Sequence, residues 1–312
     1  MKGSTRFIGV WGSLHLSLCA VAMSTSSPAT SQQATYFIHL KKDIYVGYRA
    51  TFEFVRSQMV RGQTDWADGR STKYSNQLTW HLIVDYQITQ LNQHHQTLAD
   101  HYRIKLFTLI KNNGAESAVL PPGTQIDVKS GGTDGIYTVD GKSPVDPVAH
   151  YLPILLPAPD PQHQIREDLE YGTNIPRHMG EQWDIDPAAV AAVFSRLGGR
   201  LHPHGITGTA HLVDQELYND IPCLRFEVRL NISSGYFPKP STLPSNPVEM
   251  RGGSLNRQNS WLIPVDQNLN VPWMDATSSM QYDRAGTCQG RKFVAHLIVD
   301  DENVSRMLNS QE

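Results

Sequence analysis

Excess charge of either sign is missing from this chain. Its 27 Lys and Arg stand against 30 Asp and Glu, a formal net charge of −3 over 312 residues. The basic residues are scattered, whereas phosphate binding needs a concentrated positive surface, which argues against nucleic acid as a partner. The short motifs of the commonest enzyme classes are missing too. There is no G-x-S-x-G elbow, no Walker loop, no H-E-x-x-H and no G-x-G-x-x-G. Their absence removes those chemistries and leaves room for a dispersed site. After the N-terminal stretch, no apolar run is long enough to cross a bilayer. Cysteine is sparse, at three residues.

The one long apolar stretch, residues 7–21, follows Lys2 and Arg6. A positive start, a short apolar run and Ala20-Val21-Ala22 as an A-x-A site together read as an export leader, 1–22. Cleavage there removes Lys2 and Arg6 and takes the net charge from −3 to about −5. A lipid anchor through Cys19 is the lesser alternative, because Leu18 stands where a small residue is wanted. Residues 23–34 are mostly Ser, Thr, Ala and Gln without an apolar period and read as a disordered tether. With Cys19 gone, Cys223 and Cys288 are an even pair in an oxidising compartment. A disulfide between them is one reading; two separate buried thiols are the other.

What the chain has in abundance is alternation. Leu78, Trp80, Leu82, Val84, Tyr86 and Ile88 are separated by Thr79, His81, Ile83, Asp85 and Gln87. A period of two marks a strand with one buried and one wet face. The same phase runs through Val46, Tyr48, Ala50, Phe52 and Phe54, and through Tyr102, Ile104 and Leu106. Asp140-Gly141 is a hairpin signal. In the second half, 206–213 is expected to pair with 224–232, and 261–265 and 293–299 to close the sheet. Residues 301–312 read as a polar tail that frays.

Helix signals are confined to the middle. Residues 147–156 are apolar but interrupted by Pro153, predicting a short or broken helix. Residues 187–197 have Asp186 as N-cap, Pro187 at the first position and a stripe of Ala189, Val190, Val193, Phe194 and Leu197. The prolines at 238, 240, 244 and 247 mark an irregular excursion. The fold class that follows is mainly β (α+β): a large curved antiparallel sheet or half-barrel with one or two short helices packed on it. Residues 35–300 form a single β-rich domain, with 35–156 and 164–300 as its two possible halves.

The aromatic phase supplies the ligand candidates. Tyr48, Phe52, Trp80 and Tyr86 share one face, which is either an ordinary core or a partly filled hollow for an acyl chain. The 187–197 helix is a possible lid. His94, His95 and His101, with Asp100, are a weak metal candidate, because three ligands must converge from fixed backbone and this stretch reads as a mobile turn. No metal and no cofactor is expected. No carboxylate pair stands out as a glycosidase pair.

Two segments carry a resemblance. Gly180-Glu181-Gln182-Trp183-Asp184-Ile185-Asp186 precedes the Ala-rich helix, and Ile206-Thr207-Gly208-Thr209-Ala210 is followed by Ile221-Pro222-Cys223-Leu224. Over about a third of the chain this resembles uncharacterised exported β-rich proteins of bacteria, planctomycete-like in style. The resemblance implies export and a β-rich domain and brings no activity. In layout the chain is also distantly similar to periplasmic lipoprotein carriers, whose curved sheet closes over an apolar hollow. The expectation is a non-enzymatic protein of the cell envelope, periplasmic or extracellular, that binds an apolar ligand such as lipid. An envelope structural or protein-interaction module is the alternative, and a hydrolase with an unrecognised site the second alternative.

Overall fold

The structure is a computed structural model of the chain. It describes residues 34–311 except 39, 41–44, 95, 132–134, 160–169, 197–199, 237–248, 267–268, 270–271 and 289. The leader, most of the tether and the prolines of the 238–247 excursion lie outside the described residues.

Two meanders build one sheet. The first comprises β2 (Arg49–Trp66), β3 (Ser71–Leu91), β4 (Thr97–Lys111), β6 (Gln125–Lys129) and β7 (Ile136–Val139). The second comprises β11 (Ile206–Tyr218), β12 (Ile221–Tyr236), β13 (Glu249–Pro264), β14 (Trp273–Cys288) and β15 (Arg291–Gln311). Short strands β5 (Glu116–Ala118), β9 (Gln182–Asp184) and β10 (Arg200–Leu201) pair with β4, β11 and β12. Strands β1 (Thr35–Tyr36) and β8 (Arg177–His178) form a separate pair. The sheet has 13 strands in the order β7-β6-β4-β3-β2-β15-β14-β13-β12-β11-β9, with β5 and β10 off that path. Every pairing is antiparallel, and the sheet is not closed into a barrel.

Local chemistry sets the turns. Asp140 and Gly141 both have positive φ, with Val139 and Lys142 exchanging backbone hydrogen bonds around them. Asn219 and Asp220, also at positive φ, reverse the chain between β11 and β12. Asn tolerates this region better than most residues with a Cβ, and Asp shares the preference.

The strands are longer than the alternation alone implied. β3 has 21 residues and spans roughly 70 Å at the usual rise. β2 runs on to Trp66, and Ala67-Asp68-Gly69-Arg70 turn the chain into β3. The expected polar tail is corrected: residues 301–311 are the second half of β15, paired with β14 and β2. β14 was not anticipated at all; its Ala276-Thr277-Ser278-Ser279 centre lacks apolar alternation, and it is held by strands on both sides. The disulfide is corrected too. Cys223 lies opposite Pro264, at the end of the sheet where β14 begins, and Cys288 is the last residue of β14. The register separates them by about 15 residues of strand, roughly 50 Å, far beyond disulfide reach.

Register and pleat give the sheet one covered and one wet face. The covered face carries two apolar clusters. One joins Trp80, Leu82, Val84, Ile104, Phe107, Ile126 and Val128 to Leu152, Leu155 and Leu156 of helix α1 (Val148–Leu155) and its end. The other joins Leu212, Phe226, Leu230, Ile232 and Trp261 to Val190 and Ala191 of helix α2 (Pro187–Arg196). Asp186 caps α2, its Oδ1 accepting from the Ala188 N–H at 2.8 Å and the Ala189 N–H at 3.3 Å. The helix over the Trp80 cluster is therefore α1, not the 187–196 helix expected as its lid.

Candidate functional site

Between the two clusters the covered face turns polar. On β2 the inward phase passes from Phe52 and Phe54 to Arg56 and Gln58, then back to Val60. Across the register lie Asn303 and Asp301 of β15, and beyond them Ala276 and Ser278 of β14. Arg56 resolves the charge. Its Nε donates to Asp301 Oδ1 at 3.0 Å and its Nη2 to Oδ2, a two-pronged pair. Nη1 donates to the Ile154 carbonyl at 2.7 Å, tying α1 to the sheet. Such forked pairs are geometrically specific.

Beside this pair a cleft of about 610 Å³ opens under α1. Its floor is Val60, Leu78, Trp80, Met280, Leu297 and Val299, interspersed with Gln58, Asn76 and Ser278, and its roof is His150, Pro153 and Ile154. Those three are spaced three and one apart on α1, so they share a side, while Leu152 and Leu155 turn into the core. Helix α1 is only 8 residues and contains Pro153, so it covers one part of the floor. The other end of the cleft is built by Tyr74, Tyr282 and Arg284. Gly62 makes room there: a Cβ at this position would lie 2.6 Å from Tyr74 Cζ. From Ser278 to Arg284 the cleft follows β14 for roughly 20 Å.

Among the described residues two buried donors in this lining, Trp80 Nε1 and Arg284 Nε, have no hydrogen-bond partner. Trp80 is 1% exposed, and its ring meets Tyr151 edge-on at 5.9 Å. Arg284 lies over the Phe293 ring at 5.9 Å. Burial raises the Tyr74 and Tyr282 hydroxyls above the ordinary phenol range, and the Arg284 guanidinium offsets part of the rise. The lining holds one carboxylate, Asp301, engaged by Arg56. Among the described residues of the lining no second carboxylate faces it across the cleft.

The sequence candidates fall apart into different places. Trp80 lines the cleft. Tyr48, Phe52 and Tyr86 pack on one another instead, with ring centroids of 6.3 Å for Tyr48–Tyr86 and 5.8 Å for Phe52–Tyr86. Their surroundings are filled by Tyr102, Ile88 and Met307. Asp100 is buried beside them and accepts from the Tyr86 hydroxyl at 3.0 Å. Burial pushes its pKa up to about 6, against the pull of the Tyr86 and Tyr102 hydroxyls. The histidine candidate is corrected. His101 is in β4, on the wet face, with Nδ1 2.8 Å from Asp127 Oδ1, while Asp100 turns inward. His94 is in the preceding turn with its N–H donating to Asn92 Oδ1, and His95 lies outside the described residues. Among the described residues no His, Cys, Asp and Glu cluster could hold a metal ion. Arg284, Tyr282, Met280 and Leu297 were missed as site residues; the two-residue spacing Met280, Tyr282, Arg284 is their one local signal.

The wet face is grooved as well. Depressions of about 860 and 1040 Å³ cross it, lined by groups such as Thr207, Thr209, Asn231, Asn256, Gln281 and His296. Many of these groups bond to one another: Asn231 donates to Asn256 at 2.8 Å, Ser279 to Asp300 at 2.7 Å, and His296 pairs with Asp283 at 2.7 Å. The covered cleft, with a greasy floor and a few convergent polar groups, has the make-up of a ligand site.

Fold and cleft define a mainly β protein with one open antiparallel sheet and a helix-roofed hollow. No protein-family model matches the chain, and no curated protein matches it. Among solved structures, it is similar to "Lipid-protein interactions in lipovitellin", at 7% identity and a TM-score of 0.38. The similarity covers 86% of this chain and 26% of that one, so the chain spans about a quarter of that protein's length. No helix among the described residues is long and apolar enough to cross a membrane.

Proposed function

We propose that the protein is a non-enzymatic, exported protein of the cell envelope that binds an apolar ligand of the lipid kind. The observation that carries the binding is the cleft of about 610 Å³, roofed by α1 over Val60, Leu78, Trp80, Met280, Leu297 and Val299. Apolar surface left in a concave, half-roofed space is stabilised by an apolar occupant that displaces its water. Export rests on the leader-like residues 1–22 and on the resemblance to exported β-rich bacterial proteins.

Native mass spectrometry after mild extraction tests the reading. A bound lipid-sized adduct, lost when Leu297→Trp fills the floor, is the expected result. An adduct-free spectrum, with no uptake of an added fluorescent fatty acid, overturns it. A protein-interaction role is the second reading. It is favoured by β7, whose outer edge pairs with no further strand among the described residues and where Ile136 is 54% exposed.

A further inference from the structure

The two ends of the cleft differ in charge. At the α1 end, every branch of the Arg56 guanidinium is engaged, by Asp301 and by the Ile154 carbonyl, so that end is neutralised within the protein. At the other end, no carboxylate is paired with Arg284 among the described residues; its guanidinium is hydrogen-bonded to the Tyr74 hydroxyl, and its buried Nε–H has no acceptor. Tyr74 and Tyr282 share the lining with it, and Gly62 lets the Tyr74 ring lie across β2. Both hydroxyls stay protonated at neutral pH, since burial raises them. The three side chains place N–H and O–H groups at one end of a cleft of about 20 Å, and the lining between them and α1 mixes Val60, Leu78, Met280, Leu297 and Val299 with Gln58, Asn76 and Ser278.

We infer that the cleft is polarised and that its ligand is a single-chain amphiphile with an anionic head. Arg284, with Tyr74 and Tyr282, holds the head, and the chain lies along Leu297, Met280, Val299 and Leu78 toward Trp80 and α1. The inference rests on the ligand-binding reading of the same cleft and adds the ligand's class and direction. A buried guanidinium N–H without an acceptor costs free energy, and an anionic head with two oxygens supplies acceptors of matching shape. A volume of about 610 Å³ suits one chain; a two-chain phospholipid is larger.

The test compares cis-parinaric acid with its methyl ester on the delipidated protein near neutral pH, by fluorescence titration. The acid is expected to bind about tenfold tighter than the ester, the size of one charge-assisted hydrogen bond. Arg284→Gln should abolish the preference while leaving ester affinity unchanged, and Tyr282→Phe should reduce it a few-fold. Arg61→Gln, on the wet face, should change nothing. Equal binding of acid and ester overturns the inference and leaves the ligand-binding reading standing. A preference that survives Arg284→Gln also overturns it, by placing the head elsewhere. Binding of neither probe removes both. Melting curves followed by circular dichroism establish that each variant is folded; if Arg284→Gln is not, Tyr282→Phe and Tyr74→Phe carry the comparison, and an unchanged preference in both overturns it.

Discussion

Two tryptophans, one half-buried and one fully buried, show how the ends of one sheet face differ. Trp183 lies under the α2 end, where its ring stacks on Phe226 at 5.9 Å and Arg177 sits 4.1 Å above it. Its indole N–H donates to the Tyr171 carbonyl at 2.7 Å. Phe226 stacks in turn on Trp261 at 5.4 Å. Trp80, at the α1 end, is the more deeply buried of the two, yet among the described residues its N–H has no partner and its ring borders a cleft. The same alternation produced both floors. What differs is the cover. The α2 end is roofed by a 10-residue capped helix and by Ile38, Tyr171 and Ile185. The α1 end is roofed by a helix of 8 residues that contains Pro153 and leaves part of the floor open. An apolar sheet face becomes core or site according to what lies over it.

The comparison breaks most sharply at Phe226. Phe226→Ala should cost about 3–5 kcal/mol, since the stack cannot collapse around the hole. Urea unfolding followed by tryptophan fluorescence measures it; a loss under 1 kcal/mol would mean that the α2 end is not the tightly packed one.

A second test concerns the buried acid of the α1 end. Asp100 has its pKa raised to about 6 in the folded protein, above the ordinary carboxylate value. Between roughly pH 4 and 6 the folded state therefore holds a proton that the unfolded state has released. Its contribution to stability falls as pH rises through that window, by about 3 kcal/mol in total. Asp100→Asn should be more stable than the parent at pH 7.5, with the advantage vanishing near pH 4. Denaturant midpoints across pH 4 to 8 follow this, and parallel curves for the two proteins would contradict it.

Trp80→Phe sharpens the contrast. It removes an N–H that has no partner, so stability should change by less than about 1.5 kcal/mol. Trp183→Phe, which removes the N–H that donates to the Tyr171 carbonyl, should cost more in the same assay. The smallest effect is expected at the α2 cap, where Asp186→Ala should lose about 1 kcal/mol and speed amide exchange in α2 while leaving α1 unchanged.

Much of the fold was legible because its signals are local. The Trp80 strand, the Asp140-Gly141 turn and the Asp186 cap are each written within a few residues. The pairing of 206–213 with 224–232 followed from two alternating runs and a short turn, and the register bears it out. The site was mostly hidden. Asp300, Asp301 and Glu302 look like a solvated acidic end, yet they sit mid-strand in β15, with Asp301 held by a residue 245 positions away. Arg284 lies in a strand too polar to stand out.

By itself, then, the sequence determined which residues extend, which side chains alternate inward and where the chain reverses, because pleat, turn and cap energies act over a few residues. Only the tertiary structure decided that β15 joins the two meanders beside β2, and that α1 stops short over the floor. Those outcomes depend on pairings between distant segments, whose entropy cost is met by the whole sheet at once, and no local pattern encodes them.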